Sequence, residues 1–229
     1  MPLLKHVNKN KLLKIMYFIV LTSFILPIVY LVIRFIYAGN DNIGFRDRAD
    51  YVLMILECLL GVIVINIPSF LAKKLKFDFP VRLNLMYLVF LYCAIFLGEV
   101  NSFYYKVPHW DSVLHCFSSM MLGTFGFMFV SIINKDEKTT VRLSPVFVAF
   151  FAFGFALSIG VLWEVYEYLF DGFLGLNMQK FRLEEGALLL GRDALSDTME
   201  DLIIDALGSL VATIVGYLSL LKRRDPKNH

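Results

Sequence analysis

Six apolar runs, each of roughly 20 residues, constrain this 229-residue sequence more than any other feature. A helix of that length crosses about 30 Å of hydrocarbon, because each residue rises about 1.5 Å. The runs fall at about 13–37, 51–72, 85–104, 112–133, 145–170 and 201–221. They are too long and too unbroken for the alternating strands of a membrane barrel, so helices are the spanning solution that remains. Composition agrees: 58% of residues are hydrophobic, against about 45–50% in a soluble domain, and the excess needs lipid to cover it. The expected fold is all-α, a bundle of six transmembrane helices forming one integral membrane domain over residues 1–229. The lipid bilayer is its first partner, and no nucleic-acid partner is expected. The first run is longer than the apolar core of a signal peptide, lacks a small-residue cleavage site and contains Pro27 and Arg34, so it is read as a retained span. Cys58, Cys93 and Cys116 all sit inside apolar runs, which fits small buried side chains and not a disulfide framework.

Lysine and arginine alternate from loop to loop. One set of connections holds Lys5, Lys9, Lys11 and Lys14, then Lys73, Lys74, Lys76 and Arg82, then Lys135, Lys138 and Arg142, and finally Lys222, Arg223, Arg224 and Lys227. The opposite set holds Arg46, Arg48, Lys106, Lys180, Arg182 and Arg192. By the positive-inside rule the richer set is cytoplasmic, which places both termini in the cytoplasm. The longest connection, 171–200, is then external, and its apolar residues suit either a lid over the bundle or a segment lying in the interface.

Ionisable residues inside membrane spans are costly and face a bundle interior or a wet cavity. With this orientation, Glu57, Glu99, Glu164, Glu167 and Asp205 all lie in the outer halves of their helices. The segment from Lys106 to His115, with His109 and Asp111, joins them at that level. Helical spacing decides what can converge. Asp111 and His115 are four apart, and their face continues through Ser118, Ser119 and Gly123. Glu164 and Glu167 are three apart above Gly160 and Ala156; Asp197, Asp201 and Asp205 form a stripe continued by Gly208, Ala212 and Gly216. Small residues at this spacing let membrane helices pack closely, so the polar faces point inward.

Clustered carboxylates repel one another unless protonated or neutralised, and a divalent metal ion is the neutraliser that uses His nitrogen and Asp/Glu oxygen together. The candidate ligands are His109, Asp111, His115, Glu164, Asp197 and Asp201, in one site or a pair, with Glu167 as general base. A metal-activated water would suit hydrolysis of an ester or phosphoester. A plainer reading stands beside this one. Intramembrane carboxylates also pair with hydroxyls, Lys106 or Arg192, and Glu57 and Glu99 are the strongest candidates for a purely structural role. Trp110, Trp163, Tyr104, Tyr105, Tyr166 and Tyr168 fit an outer aromatic belt. The one-sided grouping of His, Asp and Glu is what the plainer reading handles poorly.

The series His109-x-Asp111-x-x-x-His115, Trp163-Glu164-x-x-Glu167 and Asp197-Thr198-x-x-Asp201-x-x-x-Asp205-x-x-Gly208 resembles the YjdF-like family of bacterial inner-membrane proteins, a domain of unknown function. The resemblance covers roughly the second to sixth helices and implies a multi-pass protein of the bacterial inner membrane, with no catalytic role attached. Before the Asp-Thr motif this chain reads Leu190-Gly191-Arg192-Asp193, a departure from the family's Gln-Gly-Asp type of stretch. Three functions stay open: a metal-dependent hydrolase or transferase acting on a lipid or lipid-linked group at the outer leaflet, a proton- or cation-coupled transporter or channel, and a non-catalytic membrane scaffold.

Overall fold

The computed structural model describes residues 9–37, 48–76, 79–133, 143–183 and 186–224. Among them the regular structure is helical, apart from an isolated antiparallel bridge between Arg182 and Leu188. The helices are α1 (Lys9–Tyr37), α2 (Arg48–Val64), α3 (Ile67–Leu75), α4 (Val81–Leu91, continued as a π-helix over Tyr92–Val100), α5 (Phe103–Lys106), α6 (Trp110–Ile133), α7 (Pro145–Leu174) and α8 (Arg192–Arg224). They supply six spans long and apolar enough to cross a membrane: Asn10–Arg34, Tyr51–Lys74, Val81–Val100, Trp110–Ile133, Pro145–Leu174 and Arg192–Lys222. The chain divides into two compact units, Met1–Trp110 and Asp111–His229.

In the first unit, α1, α2 and α4 close on a core of Val20, Phe24, Cys58, Ile65, Leu88, Leu91 and Ile95. Gly61 lets them approach, since a methyl group there would lie 2.8 Å from the Ile95 side chain and 2.9 Å from the Phe24 ring. The second span is broken between Val64 and Ile67. Pro68 explains the break, because its ring collides with the carbonyl four residues earlier and its nitrogen has no proton to give. That carbonyl belongs to Val64, and the Tyr87 hydroxyl donates to it at 2.7 Å. The Asn66 amide likewise donates to the Val62 carbonyl at 3.0 Å. Backbone groups freed inside a membrane must be satisfied in this way. Beside the core runs an open groove of about 910 Å³, lined by Phe18, Pro27, Arg34, Tyr51, Tyr92 and Phe96 among others.

The second unit is α6, α7 and α8. Its seams are made by small residues. A methyl group on Gly123 would lie 2.9 Å from the Ala212 side chain, and one on Gly126 would lie 2.8 Å from the Ala152 backbone. On Gly208 it would collide with the Ser119 hydroxyl, and on Gly216 with the Phe127 ring. The outward faces carry Phe150, Leu162, Tyr168, Leu207, Val215 and Leu218, all exposed, as a lipid-facing surface requires.

Between α7 and α8 the connection is 175–191, shorter than the expected 171–200, because α7 runs on to Leu174 and α8 starts at Arg192. The turn is built by side chains. Gly175 ends α7 with φ +66° and donates its N–H to the Asp171 carbonyl at 3.0 Å. The buried Asp171 carboxylate accepts from the backbone of Met178 at 2.8 Å and of Gln179 at 3.0 Å. Asn177 and Arg182 exchange two hydrogen bonds, at 2.7 and 2.9 Å. The Gln179 amide donates to the Thr198 hydroxyl at 2.7 Å, which ties this connection to α8.

Candidate metal centre

The charged residues of the second unit meet at one end of its three helices. His115 lies five residues into α6, about 8 Å along the axis; Glu164 lies ten residues before the end of α7 and Asp201 nine residues into α8, about 15 and 14 Å. The chain directions of α6 and α8 oppose that of α7, so these positions share one end of the unit.

His115 is the centre of the group. Its Nδ1 faces Asp205 Oδ2 at 3.3 Å. A carboxylate accepts and does not donate, so Nδ1 is the donor to Asp205, and in the neutral imidazole the lone pair then lies on Nε2. That Nε2 faces three carboxylate oxygens: Asp111 Oδ1 at 3.7 Å, Asp201 Oδ2 at 3.8 Å and Glu164 Oε1 at 3.9 Å. These separations are too long for hydrogen bonds. They are close to the spacing of ligands around a shared ion, since atoms about 2.0–2.2 Å from a tetrahedral metal lie about 3.3–3.6 Å apart. One ligand atom each from Asp111, His115 and Asp201 lie within 4.8 Å of one another.

Burial makes this geometry telling. Glu164 is 4% exposed and Asp201 3%. Neither Glu164 oxygen has a partner in hydrogen-bond geometry among the described residues, although the Thr198 side chain of α8 interacts with that carboxylate; Asp205 Oδ1 and one Asp197 oxygen also lack a partner. An ionised carboxylate buried with so few donors is costly, and protonation or metal coordination relieves it. Directly beneath, Gly160 leaves room for Asp205: a methyl group there would collide with the carboxylate that holds His115.

The remaining expected residues are placed as follows. Glu167 is half-buried one turn beyond Glu164, and Asp197 is half-buried one turn before Asp201 on α8; both lie within electrostatic reach of Asp111, Glu164, His115 and Lys180. His109 is exposed in the turn before α6, with φ +58°, and is not among the residues brought together. Glu99 is buried and Glu57 half-buried in the first unit, both near Cys58. Asp193 is exposed in the first turn of α8. Spacing alone placed Asp205 on the right face without revealing its contact to His115. Asp171, Gln179 and Thr198 were missed as supports of the connection, because the pairings that define them span 7 to 19 residues across a turn.

A family model described as "Predicted membrane protein (DUF2238)" matches residues 12–222, and the YjdF-like resemblance is consistent with it. One curated relative, an uncharacterized protein of Thermotoga maritima, is 29% identical over 141 residues, 61% of this chain and 64% of the relative. The matched stretch is thus slightly under two thirds of that relative's length. No solved structure matches.

Proposed function

We propose that this chain, which belongs to the DUF2238 family of predicted membrane proteins, binds a divalent metal ion and acts as a hydrolase or transferase on a lipid or lipid-linked group. The ligands are Asp111, His115, Glu164 and Asp201. The observation that carries the reading is Glu164, buried and with no partner in hydrogen-bond geometry, facing Nε2 of a histidine whose other nitrogen is held by Asp205. Carboxylate, histidine and metal in that order form a recurrent arrangement, in which the outer carboxylate fixes the tautomer and the ring orientation.

The ion, when bound, supplies Lewis acidity and a water of lowered pKa. The protein's own residues do the rest. Asp205 orients His115, Gly160 seats Asp205, and Glu167 stands one turn outward as the general base. The apolar flanks of α7 and α8 bring a lipid substrate to the same depth as the site. The sided distribution of lysine and arginine supports an extracytoplasmic location and a bacterial inner-membrane setting. A conduit through this unit has less support than a closed site, since Gly123, Gly126, Gly208 and Gly216 seal the helices below it.

The test is metal content of the full chain purified in detergent without chelators, followed by mass spectrometry of a bacterial lipid extract incubated with the protein, with and without EDTA. Bound metal and an EDTA-sensitive loss of an ester or phosphoester lipid are expected. Metal-free protein that takes up no Mn²⁺ or Zn²⁺ on titration overturns the reading.

A further inference from the structure

On α1, Phe18, Thr22, Leu26, Tyr30 and Arg34 recur every four residues and form one oblique row, exposed along its whole length. The row is one wall of the open groove beside the core of the first unit. The facing wall includes Tyr92, Phe96 and Val100 of the π-helical stretch, with the Tyr92 and Phe96 rings 5.1 Å apart. Short π-helical segments are frequent at functional sites. We propose that this groove binds one anionic phospholipid, with its phosphate on Arg34 and an acyl chain lying between α1 and Tyr92–Val100. The site lies wholly in the first unit and stands apart from the metal reading.

Length, polarity and charge carry it. Phe18 and Arg34 are 16 residues apart, about 24 Å of helix rise. Half of a bilayer with its headgroup region measures about 20–22 Å, so the groove fits the lipid of one leaflet from headgroup level to chain end. Its polar groups gather where the headgroup would lie. Arg34 ends the first apolar span, Tyr51 begins the second, and Ser102 follows the third. Tyr51 packs against Leu31, three residues from Arg34, which sets the two polar side chains at the same end. Toward the other end the lining is mainly apolar, and Ser23, partway down, donates its hydroxyl to the Val20 carbonyl at 2.7 Å.

Arg34 is preset for an anion. One guanidinium N–H donates to the Tyr30 hydroxyl at 3.2 Å, and the guanidinium carbon stands 5.8 Å from the centre of that ring. A guanidinium has five N–H donors, so most remain for a phosphate, which it holds in a bidentate fork. Among the described residues no aspartate or glutamate lines the groove. A zwitterionic headgroup would bring an ammonium to a place with no carboxylate to receive it. An anionic headgroup brings only the charge that Arg34 lacks, and so it is favoured.

The experiment is native mass spectrometry of the full chain, delipidated in detergent and then mixed with phosphatidylglycerol or phosphatidylethanolamine of the same acyl chains. One retained phosphatidylglycerol per chain is expected, bound about tenfold more tightly than phosphatidylethanolamine. Arg34→Gln should bring phosphatidylglycerol down to the level of phosphatidylethanolamine. Leu26→Trp, which fills the groove and keeps Arg34, should weaken both lipids. Arg192→Gln, an exposed arginine of the second unit, should change neither. Equal retention of the two lipids by the unaltered chain overturns the proposal, as does a preference that survives Arg34→Gln. A loss in Arg192→Gln as large as that in Arg34→Gln traces the preference to general positive charge and overturns it too. A lipid-free dimer makes a second copy the occupant and overturns it as well. If Arg34→Gln does not purify as a folded chain, Leu26→Trp decides: unaltered phosphatidylglycerol affinity overturns the groove, and loss of binding supports it.

Discussion

In the first unit the atoms that seal helix to helix are Val20, Phe24, Cys58, Leu88, Leu91 and Ile95; in the second they are Ser119, Ala152, Ala156, Ser209 and five glycines or their partners. The difference follows from what each set of helices has to hold. Large apolar side chains fill the first unit, leave a groove beside it, and keep Glu57 and Glu99 near a single cysteine. Small residues bring the backbones of the second unit together, and close backbones force the side chains at the end of the seam into one space. There is no hydrophobic drive between helices in lipid, so contact must come from packing and polar links. The first unit relies mainly on packing, the second on both. A glycine seam is therefore the structural precondition for a carboxylate cluster, and the two should fail together in the second unit and independently of the first.

The sharpest way to break this contrast is to remove the proposed ligands. A His115→Ala or Glu164→Ala chain is expected to lose its bound metal in elemental analysis. Adding Mn²⁺ to the unaltered chain at 100 times its dissociation constant should stabilise the folded state by about 2.7 kcal/mol. Hydrogen-exchange mass spectrometry should place that protection in α6, α7 and α8 and leave α1 to α4 unchanged. Equal protection in both units would dissolve the distinction. A smaller effect is expected of Asp205→Asn, which keeps the shape and removes the charge behind His115. Loss of such an outer partner weakens metal affinity by about 10–100-fold, and an affinity within twofold of the unaltered chain would deny Asp205 its orienting role.

How far these elements could be read beforehand depended on the kind of information each one uses. The spans are local: length and hydropathy suffice, and the structure has six. Their ends are not local. Asp171 to Leu174 and Arg192 to Glu200 were expected to be loop, since polar residues interrupt the apolar runs there, yet both stretches are helical. Asp171 is buried under the connection and Asp197 half-buried beside the candidate site, while Arg192, Asp193 and Glu200 stay exposed, so a polar residue can end the apolar run without ending the helix. The break at Val64 could have been read from Pro68, but the π-helical stretch Tyr92–Val100 has no comparable mark. At the candidate site, three- and four-residue spacing put Asp111, His115, Glu164 and Asp201 on inward faces, and those four converge. His109 shares their sequence neighbourhood but sits in a left-handed turn, a backbone property that side-chain spacing does not report. Asp205 is the opposite case: its partner lies 90 residues away, on another helix.

A matched pair of substitutions separates stability from chemistry. Gly61→Ala pushes a methyl group into Phe24 and Ile95, and Gly160→Ala pushes one into the Asp205 carboxylate. Overpacking of this kind costs about 1–3 kcal/mol wherever it occurs, so both chains should show lower melting temperatures in detergent. Only Gly160→Ala should also lower metal affinity, because only there is the displaced atom part of the ligand support. Comparable affinity loss in Gly61→Ala would mean that metal binding reports general loosening and not the seam beneath His115.

The smallest expected effect tests the first unit by itself. Tyr87 donates to the Val64 carbonyl that Pro68 releases. In Tyr87→Phe the ring still packs but the carbonyl loses its donor. A hydrogen bond of this kind is worth about 0.5–1.5 kcal/mol, rising toward about 3 kcal/mol if no water reaches the orphaned oxygen. With the ring still packed, a loss of about 1 kcal/mol is expected, read as a lower melting temperature with unchanged metal stoichiometry. If Tyr87→Phe melts like the unaltered chain, then water or a neighbouring group satisfies Val64. The broken second span would then be wet at Pro68, and the contrast between a dry first unit and a polar second one would have to be redrawn at that point.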